Sequence, residues 1–418
     1  MVEQTPRLPV RTRLGRLVEF LGLRRSIVGL LSMVVLVGMG EKMAERFLPV
    51  YLLALTGWEF LPGLLNGMDN LLSALYSLPG GYISDRLGTK RSLLVFNFVA
   101  MLGFLIVILF PSWIAVFVGS IFFLSWTAIS LPATMELVAK VLPKNKRTMG
   151  VSVHSLVRRI PMALGPVAGG ILIDRYGVEV GVRLAFGAAL ALSIVAAVLQ
   201  QVFIESKPHT PQGEANLFRM FRSMMRQMDP SLRNLLVSDI LIRFAEQIPY
   251  AYMAIWAMAH VSGAQVSGTE FGVLSAIEMT TAMLVYIPVA WLADRSHKKP
   301  FVLITFGFFT FFPLAVFFAR SFWMLVIAFI IRGLKEFGEP TRKALIMDLA
   351  PEGRKAAMFG AYYLARDMIV SLSAFGSAAL WLISPAATFL TAFGFGLAGT
   401  LWFALRGRDV GQNGTAGV

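Results

Sequence analysis

Gly81-Tyr82-Ile83-Ser84-Asp85-Arg86-Leu87-Gly88-Thr89-Lys90-Arg91 decides how this chain is read. The stretch lies between two long apolar runs and is too short to link domains. It reads as a tight turn between two helices that cross a membrane. A second version, Asp294-Arg295-Ser296-His297-Lys298-Lys299, follows 209 residues later, counted from Asp85 to Asp294.

Composition sets the class. The chain has 418 residues, 56% hydrophobic and 15% charged, with mean hydropathy +0.69. A soluble domain carries about 25% charged residues. Apolar runs of about 20 residues recur, each long enough for a hydrocarbon core roughly 30 Å thick. They lack the period-two alternation of a membrane β-barrel. The expected fold is therefore an all-α membrane protein. A net charge of +14 can signal nucleic acid, but the basic residues gather in alternate loops, as membrane topology demands. No nucleic-acid partner is expected. The absence of cysteine excludes a disulfide framework and a thiolate metal site. His154, His209, His260 and His297 include no ligand pair, so neither metal nor cofactor is expected. Residues 1–25 hold six arginines and no continuous apolar core, unlike a cleavable signal. Their Leu14, Leu17, Val18 and Leu21 form an interfacial stripe or belong to a disordered segment.

The predicted spans are 26–54, 61–84, 92–110, 113–138, 149–174 and 182–204, then 233–259, 270–293, 301–319, 321–347, 356–383 and 386–405. That is twelve helices in two sets of six. The domains follow: an N-terminal segment (1–25), a first bundle (26–204), a linker (205–232), a second bundle (233–405) and a tail (406–418). The linker carries Arg219, Arg222 and Arg226 and reads as partly amphipathic helix. Lys140, Lys144, Lys146 and Arg147, then Arg354 and Lys355, then Arg406 and Arg408, mark loops and ends on one side. The opposite loops offer little beyond Arg175 and Arg320. Both termini are expected in the cytoplasm of a multi-pass protein, in a bacterial inner membrane.

The two sets repeat. At an offset of 209, Gly63 matches Gly272, Asp69 matches Glu278, Pro79 matches Pro288, Arg86 matches Arg295 and Lys90 matches Lys299. At an offset of 208, Pro132 matches Pro340 and Arg158 matches Arg366. Six helices preserve parity, so these are parallel repeats about an axis along the membrane normal. Transporters are built this way, with a substrate site between the halves near the midplane.

The chain resembles the major facilitator superfamily (MFS) over essentially its whole length. Gly81, Ile83, Ser84, Asp85, Arg86, Gly88 and Lys90 match the family signature between spans 2 and 3, with Thr89 where a basic residue is usual. Gly165-Pro166-Val167-Ala168-Gly169-Gly170 in span 5 resembles the end of the antiporter motif, with Pro161 in place of its upstream glycine. Arg332, Gly333, Gly338 and Pro340 in span 10 resemble a pattern the family places in span 4. The resemblance implies that Gly81, Asp85, Arg86, Gly88 and Lys90, with Asp294 and Arg295, form a cytoplasmic gate. In it Asp85 docks on the start of span 11 near Ala356–Phe359, and Arg86 and Lys90 bind acids or lipid headgroups.

Charges inside a membrane are costly and mark functional surfaces. Spans 3, 6, 9 and 12 lack them in their interiors, so these spans should face lipid. The proton-coupling candidates are Glu41, Glu45, Asp69 and Glu278. The substrate-cavity candidates are Lys42, Arg46, Arg158, Arg243, Glu246, Arg332, Glu336, Arg366 and Asp367. Glu41 and Glu45 share a helix face, with Lys42 and Arg46 on the neighbouring face, placed to neutralise them. Asp239, Arg243 and Glu246 are spaced for pairing within span 7. Interior acids and bases nearly balance, so neither a cationic funnel for phosphates or carboxylates nor an acidic one for cationic drugs is expected.

The expected function is alternating-access transport: proton-coupled export of a small or amphiphilic molecule by a monomer in the lipid bilayer. Symport of an organic ion or metabolite, or movement of a lipid or lysolipid between leaflets, are the alternatives. The many interior charges argue against a non-transporting receptor or scaffold. No phosphate-binding loop indicates an ATP-driven pump, and no nucleophile–base constellation indicates an enzyme.

Overall fold

The computed structural model describes residues 25–124, 126, 129–130, 134, 156–204, 217–260, 265–293, 297–351 and 355–408. Each of the twelve expected spans has a helical counterpart among them. The first bundle contains α1 (Arg25–Glu45), α2 (Leu48–Thr56), α3 (Leu61–Leu87), α4 (Thr89–Leu109), α5 (Trp113–Phe123), α6 (Arg159–Tyr176) and α7 (Val178–Phe203). After it comes α8 (Leu217–Arg226). The second contains α9 (Pro230–Tyr250), α10 (Tyr252–Ile255), α11 (Gly268–Ala293), α12 (Lys298–Phe318), α13 (Phe322–Leu334), α14 (Glu339–Asp348), α15 (Lys355–Ile383) and α16 (Pro385–Arg406). Among the described residues, six helical stretches have the length and apolarity of membrane spans on their own: Ser26–Thr56, Thr89–Leu109, Val178–Phe203, Lys298–Phe318, Met358–Ile383 and Pro385–Arg406.

The opening stretch is helical further than expected. Instead of a turn, Ser84–Leu87 form the last turn of α3, and Gly88 alone separates α3 from α4. Gly88 has φ +75°, a conformation that side-chain-bearing residues avoid, and this one residue reverses the chain. Its N–H closes the helix on the Ser84 carbonyl at 2.9 Å.

Span 1 is not continuous. α1 stops at Glu45 and α2 begins at Leu48, so the break falls on Arg46 and Phe47. Pro49, in the first turn of α2, lacks the N–H that an unbroken helix needs. Span 10 breaks in the same way between Leu334 and Glu339, with Pro340 opening α14. Gly338 is required there, because a Cβ would lie 2.5 Å from the Phe301 carbonyl oxygen. Span 7 is interrupted at Ala251 and widens to a π-turn over Trp256–His260. Backbone freed within a membrane must be buried or face a polar cavity, and charged residues flank the breaks in spans 1 and 10.

Within the first bundle α1 packs on α6 and α7, and α4 on α5 and α7. Within the second, α16 packs on α9 and α12, and α11 on α13. Two large contacts join the bundles, α6 with α11 and α3 with α15. Exposed apolar rows run along α4 (Phe98, Leu102, Leu109), α7 (Val195, Val198, Val202), α12 (Ile304, Phe311, Phe318) and α16 (Leu390, Leu397, Leu405). These four are the spans predicted to face lipid, but α5 (Ile114, Val118, Ile121), α6 (Ile160, Leu164, Ile171), α13 (Trp323, Ile327, Ile330) and α15 (Met368, Ile369, Leu372) expose apolar rows as well, so lipid exposure is not confined to them. Arg183 in α7 is a charge inside one of them, and its guanidinium reaches the Ile108 carbonyl at 2.7 Å. The linker helix α8 turns Met224 inward onto the second bundle while Arg222 and Arg226 stay on other faces.

Candidate functional site

The break in span 1 gathers the first charge cluster. Lys42 Nζ bonds Glu41 at 3.2 Å and also Glu45. One lysine thus serves two acids, which frees Arg46. Arg46 crosses to the other bundle, pairs with Glu278 at 3.3 Å and stacks 5.2 Å from the Tyr250 ring. Arg46 was expected to neutralise Glu41 or Glu45, and the helix break redirects it.

Asp69 in α3 has no ion pair among the described residues. It accepts a long hydrogen bond from Ser73 Oγ at 3.5 Å. It stands in the field of Glu45, Lys42 and Glu41. Its repeat partner Glu278 is in the opposite situation: Arg332 lies at 2.7 Å, Arg46 at 3.3 Å and Lys335 at 3.6 Å. The duplicated acid is naked in one half and caged in the other.

A cleft opens among α1, α6 and the residues following α5. Glu41, Lys42, Trp126, Thr134 and Arg158 line it, with Val34 and Met162 as apolar wall. Arg158 makes no hydrogen bond or ion pair among the described residues. Trp126 is 5% exposed, and its indole N–H finds no acceptor.

The second bundle holds a denser network. Glu246 accepts from Lys335 and, at 2.6 Å, from Arg243. Arg243 also reaches Glu339 at 3.4 Å and Asp239 at 3.9 Å, so the spacing expected for span 7 does pair. Arg342 lies at the centre, bonded to Asp239, to Glu339 at 2.7 Å and to the Tyr363 hydroxyl at 3.1 Å. Tyr362 donates to Asp239 at 3.1 Å. Arg366 joins Asp239 at 3.4 Å and Asp367 at 2.7 Å, with its guanidinium 4.2 Å over the Tyr363 ring. Pairing this complete offsets much of the cost of burying these charges.

Polar contacts also tie the bundles together. Arg159 pairs with Glu336 at 2.9 Å and lies 5.3 Å from the Tyr286 ring. Asn66 and Asn70 in α3 both hold Gln247 in α9, at 3.1 and 3.2 Å. Toward the end of span 1 remote from its start, here the far side, the seal is tight. The Asp174 carboxylate accepts the Gly268 and Thr269 N–H groups at 2.7 and 2.8 Å. Glu59 accepts the Tyr252 hydroxyl at 2.9 Å through its backbone carbonyl and the Trp381 N–H at 3.1 Å through its carboxylate.

Of the predicted residues, Glu41, Lys42 and Arg158 line the cleft, Glu45 joins them through Lys42, and Asp69 stands in their field. Arg243, Glu246, Glu278 and Arg332 form one network through Lys335. Arg366 and Asp367 join at Asp239, Arg46 reaches Glu278 from the first bundle, and Glu336 pairs with Arg159. The gate residues are less complete. Asp294 and Arg295, the surroundings of Gly81 and the side chain of Asp85 lie outside the described residues, as do His154 and the side chains of Ala356 and Ala357 at the start of span 11. Arg86 stacks 4.6 Å over the Tyr82 ring. Lys90, expected to meet an acid or a headgroup, instead donates to the Gln201 carbonyl at 2.8 Å.

Arg342, Asn66, Asn70, Gln247, Glu59 and Asp174 escaped the sequence reading. For Asp174 a signal exists. Asp174-Arg175-Tyr176-Gly177 repeats the Asp85-Arg86-Leu87-Gly88 pattern 89 residues on, counted from Asp85 to Asp174. Gly177 also has the same turn conformation as Gly88, φ +79° against +75°. Nested inverted repeats within each half of such transporters place these turns on opposite sides of the membrane.

A family model described as Major Facilitator Superfamily matches residues 30–253 and 235–417. An uncharacterized MFS-type transporter of Methanocaldococcus jannaschii is 26% identical over 214 residues, 47% of this chain and 50% of that protein. The chain thus spans about half the length of that relative in the match. The fold is similar to a peptide transporter POT solved with sulfate (TM-score 0.77, 14% identity, 96% of this chain and 95% of that one). It is also similar to a POT family transporter with 5-aminolevulinic acid (0.75, 13%, 95% and 97%). A third similar structure is that of the nucleoside transporter NupG (0.75, 11%, 91% and 99%). At these identities the likeness is one of fold.

Proposed function

The chain belongs to the major facilitator superfamily, and from that premise we propose that it is a proton-coupled secondary transporter in which Asp69 carries the coupling proton. The contrast between Asp69 and Glu278 supports this reading. A carboxylate surrounded by Arg332, Arg46 and Lys335 is compensated as an anion and has no need of a proton. A carboxylate in a membrane protein with no ion-pair partner among the described residues is costly as an anion, and binding a proton removes that cost. When the cavity changes sides, such a group exchanges its proton with the newly opened face. Glu41, Lys42 and Glu45 are the neighbours whose charge changes that exchange.

Direction follows the partial antiporter run Gly165–Gly170 and is assigned as export of a small organic molecule. The basic loops put both termini in the cytoplasm of a plasma membrane. The bundles 26–204 and 233–405 rock as units about the α6–α11 and α3–α15 contacts, in a monomer. Proteoliposomes under an imposed pH gradient, offered a broad solute panel, test the proposal. Solute movement that follows the gradient supports it. Movement indifferent to the gradient would remove the proton from the mechanism.

A further inference from the structure

Among the described residues, the cleft among α1, α6 and Trp126 contains donors with nothing to donate to. Arg158 carries a guanidinium without ion pair or hydrogen bond among the described residues. Trp126, 5% exposed, has an indole N–H with no acceptor. Both line the same cleft. A guanidinium has five N–H donors and the indole one, and neither can accept. Arg158 is half-buried and feels Glu41 and Glu336 without forming an ion pair with either, so its guanidinium donors stay unused, and an orphaned buried N–H beside them is costly. The other cation of the cleft, Lys42, is already committed to Glu41 and Glu45.

We infer that this cleft is the anion subsite of the transporter and takes the carboxylate of a small organic monoanion with an apolar body. A carboxylate offers two oxygens to the guanidinium fork and keeps lone pairs for the indole N–H. A neutral acceptor would satisfy Trp126 but give the Arg158 guanidinium only an uncharged and weaker partner. Glu41 lines the same cleft and is 3% exposed. Its charge repels a dianion such as phosphate twice as strongly as a monoanion. Val34, Pro161 and Met162 give the wall that the apolar body covers.

The inference deepens the transport reading by naming its substrate class, but it stands or falls separately. The full chain in lipid nanodiscs, without a pH gradient, is dialysed against radiolabelled 4-methylpentanoate, with empty nanodiscs to subtract partitioning. Saturable binding is expected, with the isosteric amide 4-methylpentanamide competing about tenfold more weakly or worse. Arg158→Gln should weaken binding by about tenfold or more, and Trp126→Phe, which keeps the ring, by roughly threefold. Binding is read without a pH gradient, so a failure of proton coupling leaves this subsite intact, and Gly187→Ala, whose Cβ would meet nothing within 4 Å, should bind like the parent. No saturable binding, equal competition by the amide, or undiminished binding by a folded Arg158→Gln would overturn the subsite. The amide comparison needs no variant and therefore decides even where a variant does not fold.

Discussion

The Asp174 carboxylate, at the end of α6, accepts the backbone N–H of Gly268, at the start of α11, at 2.7 Å. The two residues belong to different bundles. The first N–H groups of a helix lack partners inside it and carry its positive end. A carboxylate from one half therefore caps a helix of the other. The same Asp-Arg-x-Gly pattern stands at the opposite end of the first bundle, at Asp85–Gly88. One half carries the same latch sequence at each end, a fitting arrangement for a device that must close one side at a time.

Asp174→Asn should loosen the far side. The amide keeps an acceptor but loses the charge, a difference of about 1 kcal/mol at a helix terminus, or roughly fivefold in an open–closed equilibrium. The chain has no cysteine, so spin labels on cysteines placed at Tyr176 and Gln265 report alone. Their distance distribution should gain a longer component in Asp174→Asn. An unchanged distribution would show that the cap does not hold the closed state.

Gly170→Ala should act at the same seam by steric means. A Cβ at Gly170 would sit 2.1 Å from the Gly268 carbonyl oxygen, so α6 and α11 must separate. The expected cost to the closed form is about 1–3 kcal/mol, read as far-side opening with the same label pair. Gly187→Ala is the control: nothing lies within 4 Å of its Cβ. That change should leave the distances alone.

Arg342→Leu should destabilise the protein by about 3–5 kcal/mol, since Asp239 and Glu339 would stay buried with a missing partner. Lys343→Leu, removing a side chain 44% exposed from the same Glu339, should cost less than about 1 kcal/mol. Thermal unfolding in one detergent compares them. Similar losses for both would mean that the buried network is not a unit.

Much of the fold was legible because a bilayer imposes strong patterns. Apolar length marked the spans, and the lack of interior charge picked out four of the lipid-facing helices. The breaks were not legible: Pro49 and Pro340 look like ordinary kinks until the backbone shows that the helix stops at Glu45 and Leu334. Partner choice was hidden for the same reason. Arg46 lies one residue from Glu45 in sequence, yet the break turns it toward Glu278 in the other half. Arg342 was missed because it follows Pro340 near the end of a span, where a basic residue reads as a loop charge. The repeat correctly matched Asp69 with Glu278, but equal position did not mean equal environment. The cations around Glu278 come from spans 1 and 10, and no offset rule foresees them.

The most direct measurement compares Asp69→Asn with the parent in proteoliposomes, using the solute that the pH-gradient panel identifies and a trapped pH dye. Asp69→Asn should still exchange solute for solute across the membrane but move no protons with it and ignore the imposed gradient. Proton movement at the parent's stoichiometry in a folded Asp69→Asn would contradict the assignment and send the coupling proton to another group.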